Sequence, residues 1–200
     1  MAKRYQDTTA LEEAQILDAA RKIVAESGSE HATVANIARE LGIFETAIYP
    51  HFKGKKEILS LLIDHFEDSL ADGIERASAD SHASPLEVLK NALRNHLSAI
   101  KQGRDVSFQI VSEAVSLGNK ELNAKTVHVI DKYEKGIEHL LTEGVKSGDV
   151  WEDIDLEAAA TFLFSLMLVL VNLWVLSNHS FDLEEKFEPL WHLFSSAVIK

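Results

Sequence analysis

Two pairs of side chains have the spacing of a helix-borne metal site: His139 with Glu143, and Glu188 with His192, each four residues apart. On a helix that spacing puts both donors on one face. A pair supplies only two ligands, whereas a credible metal site wants three or more converging donors. Nine histidines and 32 carboxylates in 200 residues generate such pairs by composition alone, so no metal and no cofactor is expected. Cysteine is absent, which removes thiolate sites, disulfides and a cysteine nucleophile. There is no glycine-rich phosphate loop and no nucleophile elbow. An enzyme is not expected; the chemistry to look for is that of binding.

The elements that position side chains here are helices. Thr9-Ala10-Leu11-Glu12 is a capping-box pattern, in which hydroxyl and carboxylate each satisfy a free backbone N–H. Ile16, Leu17, Ala20, Ile23 and Val24 follow at helical spacing, with Gly28 as a stop. Further helices are predicted over Thr33–Leu41, Glu45–Phe52 and from Lys55 onward, the last with Ile58, Leu61, Leu62, His65 and Phe66 on one face. The Ser-, Ala- and Asp-rich stretch 77–83 is a break. Ser84-Pro85-Leu86-Glu87 then restarts a helix with Ser at N-cap, Pro at N1 and Glu at N3. Helices are predicted over 85–101, 105–117, 120–146, 156–178 and 183–199. The expected fold is all-α, with about nine helices: a head over residues 1–55 and a body over 56–200.

A formal charge of −12 argues at first against a polyanionic partner. Its distribution matters more. Up to Ser60 there are 8 basic and 9 acidic side chains; beyond it there are 12 and 23. The near-neutral head can gather its cations on one face, while the acidic body repels phosphate. The basic start Met1–Asp7 is not followed by an apolar run, so export is not expected and a cytoplasmic location is.

Two short helices held at a fixed angle need a small residue where they touch, a glycine to turn the backbone, and apolar anchors on both sides. Ile37 and Ala38 at the contact, Gly42 at the turn, and Ile43, Ile48 and Phe52 beyond it meet those needs. Taken alone, Ala38 and Gly42 fit a plain helical hairpin equally well. The continuation Ile48-Tyr49-Pro50-His51-Phe52-Lys53-Gly54-Lys55-Lys56-Glu57-Ile58-Leu59 resembles the TetR (tetracycline-repressor-like) family. That family's heads carry Tyr-x-His/Tyr-Phe-x-x-Lys-x-x-Leu/Ile after the turn. The resemblance covers about residues 10–62; the rest matches in helix number and length.

The resemblance implies a helix-turn-helix DNA-binding head and roles for matching positions. Thr33 would cap the second helix and reach a phosphate. Thr46 would face the major groove. Tyr49 and His51 would bond backbone oxygens flanking it, and Lys55 would pair with a phosphate, with Lys53 and Lys56 adding local charge. Two positions depart from the family. Phe44 stands where Ser or Thr commonly caps the recognition helix, and a phenyl ring cannot accept the free N–H groups; a thymine methyl is its expected partner. Glu45 beside it repels phosphate unless it accepts from a cytosine amine.

In the body, residues 158–176 hold only three polar side chains, Thr161, Ser165 and Asn172. A helix apolar all round is buried all round. A membrane span is the competitor, but no Lys or Arg lies between Lys146 and Lys186, so no orientation by positive flanks exists and no membrane is expected. The resemblance implies a homodimer built from the last two helices, through Leu166, Leu170, Leu173, Trp174, Phe187, Leu190, Trp191 and Phe194, reading a palindromic operator. It implies also an effector cavity, with His96, Ile100, Phe108, Val111, Val115, Val127, Ile130, Tyr133, Phe164 and Leu168 as candidate lining; their apolar character points to a small apolar or amphipathic effector. The function so implied is a ligand-responsive transcriptional repressor. The alternative is a DNA-bound interaction protein whose body contacts another protein.

Overall fold

The computed structural model describes residues 13–77 and 83–200; the capping box Thr9–Glu12 lies outside them. Eight α-helices follow one another among the described residues: α1 (Glu13–Ser27), α2 (Val34–Leu41), α3 (Lys55–Ala77), α4 (Pro85–Lys101), α5 (Ser107–Leu117), α6 (Lys120–Ser147), α7 (Leu156–Leu176) and α8 (Leu183–Val198). Single 3-10 turns occupy Ser29–His31 and Glu45–Ala47. The chain is all-α. The difference from nine helices lies at Glu45–Phe52, where two successive short turns replace the predicted helix.

Its reason is local. Phe44 gives no side-chain cap to the turn, and Pro50 has no N–H to offer the carbonyl four residues back. The amides of Ile48 and Tyr49 both reach the Glu45 carbonyl, and those of His51 and Phe52 reach Ile48. The segment is therefore a 3-10 turn followed by a second turn, over Ile48–Phe52, that encloses the proline. It still buries Ile48 and Phe52 as expected.

In front of this segment, Thr33 caps α2, its hydroxyl oxygen accepting from Asn36 N at 3.3 Å. Gly42 ends the helix in the left-handed region, φ 69°, which costs an L side chain strain but glycine nothing. The Ile43 amide then returns to the Ala38 carbonyl at 3.0 Å, the closing bond of a Schellman turn. Behind the segment, the Gly54 carbonyl accepts from Glu57 and Ile58, and the Glu57 carboxylate accepts from Lys53 N at 2.8 Å. Both turns are thus held by bonds internal to the head.

The helix α3 runs out of the head into the body. Ile58 and Leu59 near its start, and Leu62, Ile63 and Phe66 further on, are all buried, while His65 faces outward. In the body α3 packs against α4, α5 and α6, and α6 packs against α7. The capping box at Ser84 is present with both of its bonds. An isolated antiparallel bridge joins Val150 to Ile199 and ties the C-terminal end to the α6–α7 connection.

Gly144 permits a close approach there: a Cβ built on it would stand 2.7 Å from Val150 Cγ2. Gly144→Ala should therefore lower stability by about 1–3 kcal/mol through overpacking, read as a lower urea midpoint. Adding Val150→Ala should recover part of the loss. A midpoint equal to that of the wild-type chain would show that α6 shifts at no cost.

Candidate nucleic-acid interface and effector core

The exposed edge of the head presents Phe44, Glu45, Thr46, Tyr49, Pro50, His51 and Lys53, while Thr33 sits half-buried at the start of α2 with its hydroxyl hydrogen still to donate. Phe44 is 58% exposed, an apolar ring held out at the tip of the turn. Glu45 is engaged: the Tyr49 hydroxyl donates to its carboxylate at 3.3 Å. That bond shares the phenol between a carboxylate and any phosphate. The two positions at which this chain departs from the usual pattern thus stand side by side on the exposed edge.

Lys55, expected to pair with a phosphate, is engaged within the protomer. Its Nζ donates to Glu113 Oε1 on α5, and both side chains are largely shielded. The Ser29 hydroxyl donates to the other oxygen of the same carboxylate at 2.9 Å. Lys56 likewise bonds Glu121 on α6. No periodicity announces these pairs, which join residues 58 and 65 apart in sequence.

Inside the body, four of the candidate lining residues meet. His96, Phe108, Tyr133 and Phe164 form one aromatic cluster with Phe66 of α3, ring centroids 5.1 to 6.3 Å apart. His96 is buried and bonds on both nitrogens: Nδ1 lies 3.0 Å from Tyr133 Oη and Nε2 2.9 Å from Ser107 Oγ. Asp105 accepts from Ser107 N at 2.7 Å and stands 3.6 Å from His96 Nε2. Burial pushes the Tyr133 phenol well above its ordinary range, and Asp105 adds to it. The phenol therefore keeps its proton, and each ring nitrogen of His96 has a hydroxyl partner. Ile100 and Val111 are buried nearby, and Ile130 and Leu168 are half-buried. Val127 and Val115 are 65% and 72% exposed and line nothing. On α6 the buried positions run 122, 126, 129, 133, 137, and 127 falls off that face.

The last two helices correct the expected dimer surface. Leu170, Trp174, Phe187, Trp191 and Phe194 are buried in the protomer's own core; Trp174 Nε1 donates to the Phe181 carbonyl at 3.1 Å. Leu173 is exposed, and Leu166 and Leu190 are half-exposed. The outward apolar face runs instead through Phe162, Val169, Leu173 and Leu176 of α7, with Leu193 of α8 beside it. The helix α7 is long and apolar enough to cross a bilayer, with mean hydropathy 2.3. Over residues 158–176 its three polar side chains, Thr161, Ser165 and Asn172, fall on one exposed to half-exposed stripe beside that apolar face.

Comparison with known proteins assigns this arrangement. A family model of bacterial regulatory proteins, tetR family, matches residues 16–62, and one of the C-terminal region of YsiA-like proteins matches 59–197. The chain belongs to the TetR family. It is a DNA-binding transcriptional regulator, in a family of regulators rather than enzymes. The fatty acid metabolism regulator protein of Bacillus subtilis (strain 168) is 31% identical over 187 residues, 92% of this chain and 94% of the relative. The nucleoid occlusion factor SlmA of Photobacterium profundum is 24% identical, covering 92% and 94%. Among solved structures, the transcriptional regulator FadR from Bacillus subtilis in complex with stearoyl-CoA superposes with a TM-score of 0.75 at 28% identity, over 92% of this chain and 98% of that one.

In this TetR-family body the His96 network is satisfied only while Tyr133 keeps its hydroxyl. Tyr133→Phe should leave Nδ1 without a partner in a dry site and cost about 1–3 kcal/mol, measured by denaturant unfolding. An unchanged stability would mean that water replaces the phenol.

Proposed function

We propose that this regulator is a dimeric repressor released from a palindromic operator by a long-chain fatty acyl thioester. The observation that carries the reading is similarity along nearly the whole chain, head and body together, to a fatty acid metabolism regulator. Similarity to a FadR structure that holds stearoyl-CoA supports the ligand class. The aromatic cluster around His96 fits it chemically: an apolar surround for a chain, with one buried polar group to meet a carbonyl. The alternative, a body that recruits a protein partner, rests on the lower identity to SlmA and is not favoured.

In this reading the head, residues 1–55, reads DNA and the body, residues 56–200, senses and pairs, in the cytoplasm and without a membrane. Thr33, Tyr49, His51, Lys53 and Lys55 bind phosphate; Thr46, Phe44 and Glu45 face bases. A small apolar or amphipathic effector shifts the population toward a head spacing that no longer fits successive major grooves. The outer α7–α8 face pairs with the same face of a second copy, since a two-fold interface uses one patch twice.

The test is a genome-wide footprint of the purified protein, repeated with stearoyl-CoA. Palindromic sites near fatty acid metabolism genes, vacated on adding the thioester, are expected. Scattered sites indifferent to it would sink the effector reading and favour the interaction protein. Separately, Val169→Glu combined with Leu173→Glu should turn dimer into monomer in sedimentation and weaken operator binding at least about tenfold, because a lone head loses its linked partner. A dimer that survives both charges would place the interface elsewhere.

A further inference from the structure

The head is poor in usable positive charge. Among its described cations, Lys53 stands exposed at the edge, while Arg21 faces Asp18, Lys22 faces Glu40, Lys55 faces Glu113 and Lys56 faces Glu121. Arg39 donates to the neutral Asn36. The Lys55–Glu113 pair differs in kind from the others. Lys22, Lys56 and Glu121 are roughly half or more exposed, whereas the side chains of Lys55 and Glu113 retain 24% and 14% of their exposure. An ion pair so shielded is screened little by salt and persists where surface pairs contribute almost nothing. Glu113 is also held from a second side by Ser29, in the turn that precedes α2. Burial favours its neutral form, but the bonds from Lys55 and Ser29 outweigh this and keep it ionised.

We propose that Glu113 is a positioning residue that sets DNA affinity by competing with phosphate for the Lys55 ammonium. The inference rests on the reading of Lys55 as a phosphate contact. In the conformation described, Lys55 is spent on the body, and a phosphate approaching it also meets the Glu113 carboxylate. Tight DNA binding therefore requires α5 to withdraw Glu113 or Lys55 to swing away from it. The helix that holds Glu113 is also the helix that places Phe108 and Val111 in the buried core of the body. It spans only Ser107–Leu117, so a displacement at Phe108 carries Glu113 with it. Whatever occupies the core thereby tunes how much positive charge the head shows to DNA.

Three variants of the full-length chain test this: Glu113→Gln, Lys55→Gln and the double variant, each checked for an unchanged thermal midpoint and dimer mass. Glutamine keeps the shape of Glu113 and its acceptor for Ser29. Binding to a mixed-sequence DNA duplex is followed by fluorescence anisotropy across about 50 to 200 mM salt. Lys55→Gln should weaken binding and flatten the salt slope, while Glu113→Gln should tighten binding about three- to tenfold and steepen that slope by about 0.9 per subunit. The double variant should match Lys55→Gln, because Glu113 acts through Lys55. If Lys55→Gln changes nothing, the phosphate reading fails. If Lys55→Gln weakens binding but Glu113→Gln leaves affinity and slope alone, or weakens them, the competition fails and Glu113 is only a strut. Should Glu113→Gln unfold the chain, Glu113→Asp keeps the test, because the shorter side chain draws the carboxylate back from Lys55; tighter binding is expected, and unchanged affinity and slope overturn the inference.

Discussion

One helix carries the core from the head into the body. Ile58, Leu59, Leu62, Ile63 and Phe66 of α3 are all buried in one continuous hydrophobic core that also holds Ile37, Ile48 and Phe108, without a break in the helix between them. A helix transmits displacement because each of its turns is hydrogen-bonded to the next. The head therefore has no hinge of its own at Lys55. Its orientation is whatever the packing of α3 against α4, α5 and α6 dictates, and polar bonds from Lys125 to Ser60 and Asp64 fasten the same helix to α6.

The polar cluster beneath that helix makes the body's interior sensitive rather than inert. An imidazole with both nitrogens engaged, inside a ring of phenyl groups, is stable only while its partners keep their places. Phe66 brings α3 into direct ring contact with His96, Phe108 and Tyr133. Any molecule that enters must push these rings apart, and one of them sits on the helix that carries the head.

How much of this is legible in the residues depends on whether the constraint is local. The Ala38–Gly42 frame is, because a left-handed glycine and a small contact residue are demands of a single turn. The caps at Thr33 and Ser84 are legible for the same reason. Burial of Ile37, Ile48 and Phe52 follows from that frame. The apolar spacing of the recognition segment suggests a full helix, although Pro50 and the uncapped Phe44 both argue for something shorter. Val127 looks like cavity lining by its type, although the period of α6 excludes it. The outer face of α7 is only faintly legible, since over residues 158–176 three polar residues, Thr161, Ser165 and Asn172, are its sole periodic mark. The Lys55–Glu113 bond is beyond reach, because it depends on how two distant helices dock. The same holds for the meeting of Phe66 with His96.

The brevity of the recognition turn has a consequence for information. On the proposed reading, the short turn at Glu45–Ala47 and the residue before it would offer bases three side chains, Phe44, Glu45 and Thr46, and a good bidentate base contact discriminates by about 1–3 kcal/mol. An apolar ring and a carboxylate already engaged by Tyr49 fall short of that. One head would then distinguish few sequences. Most of the message would reside in the distance and symmetry between two heads, so that an operator would be recognised more by its measure than by its letters.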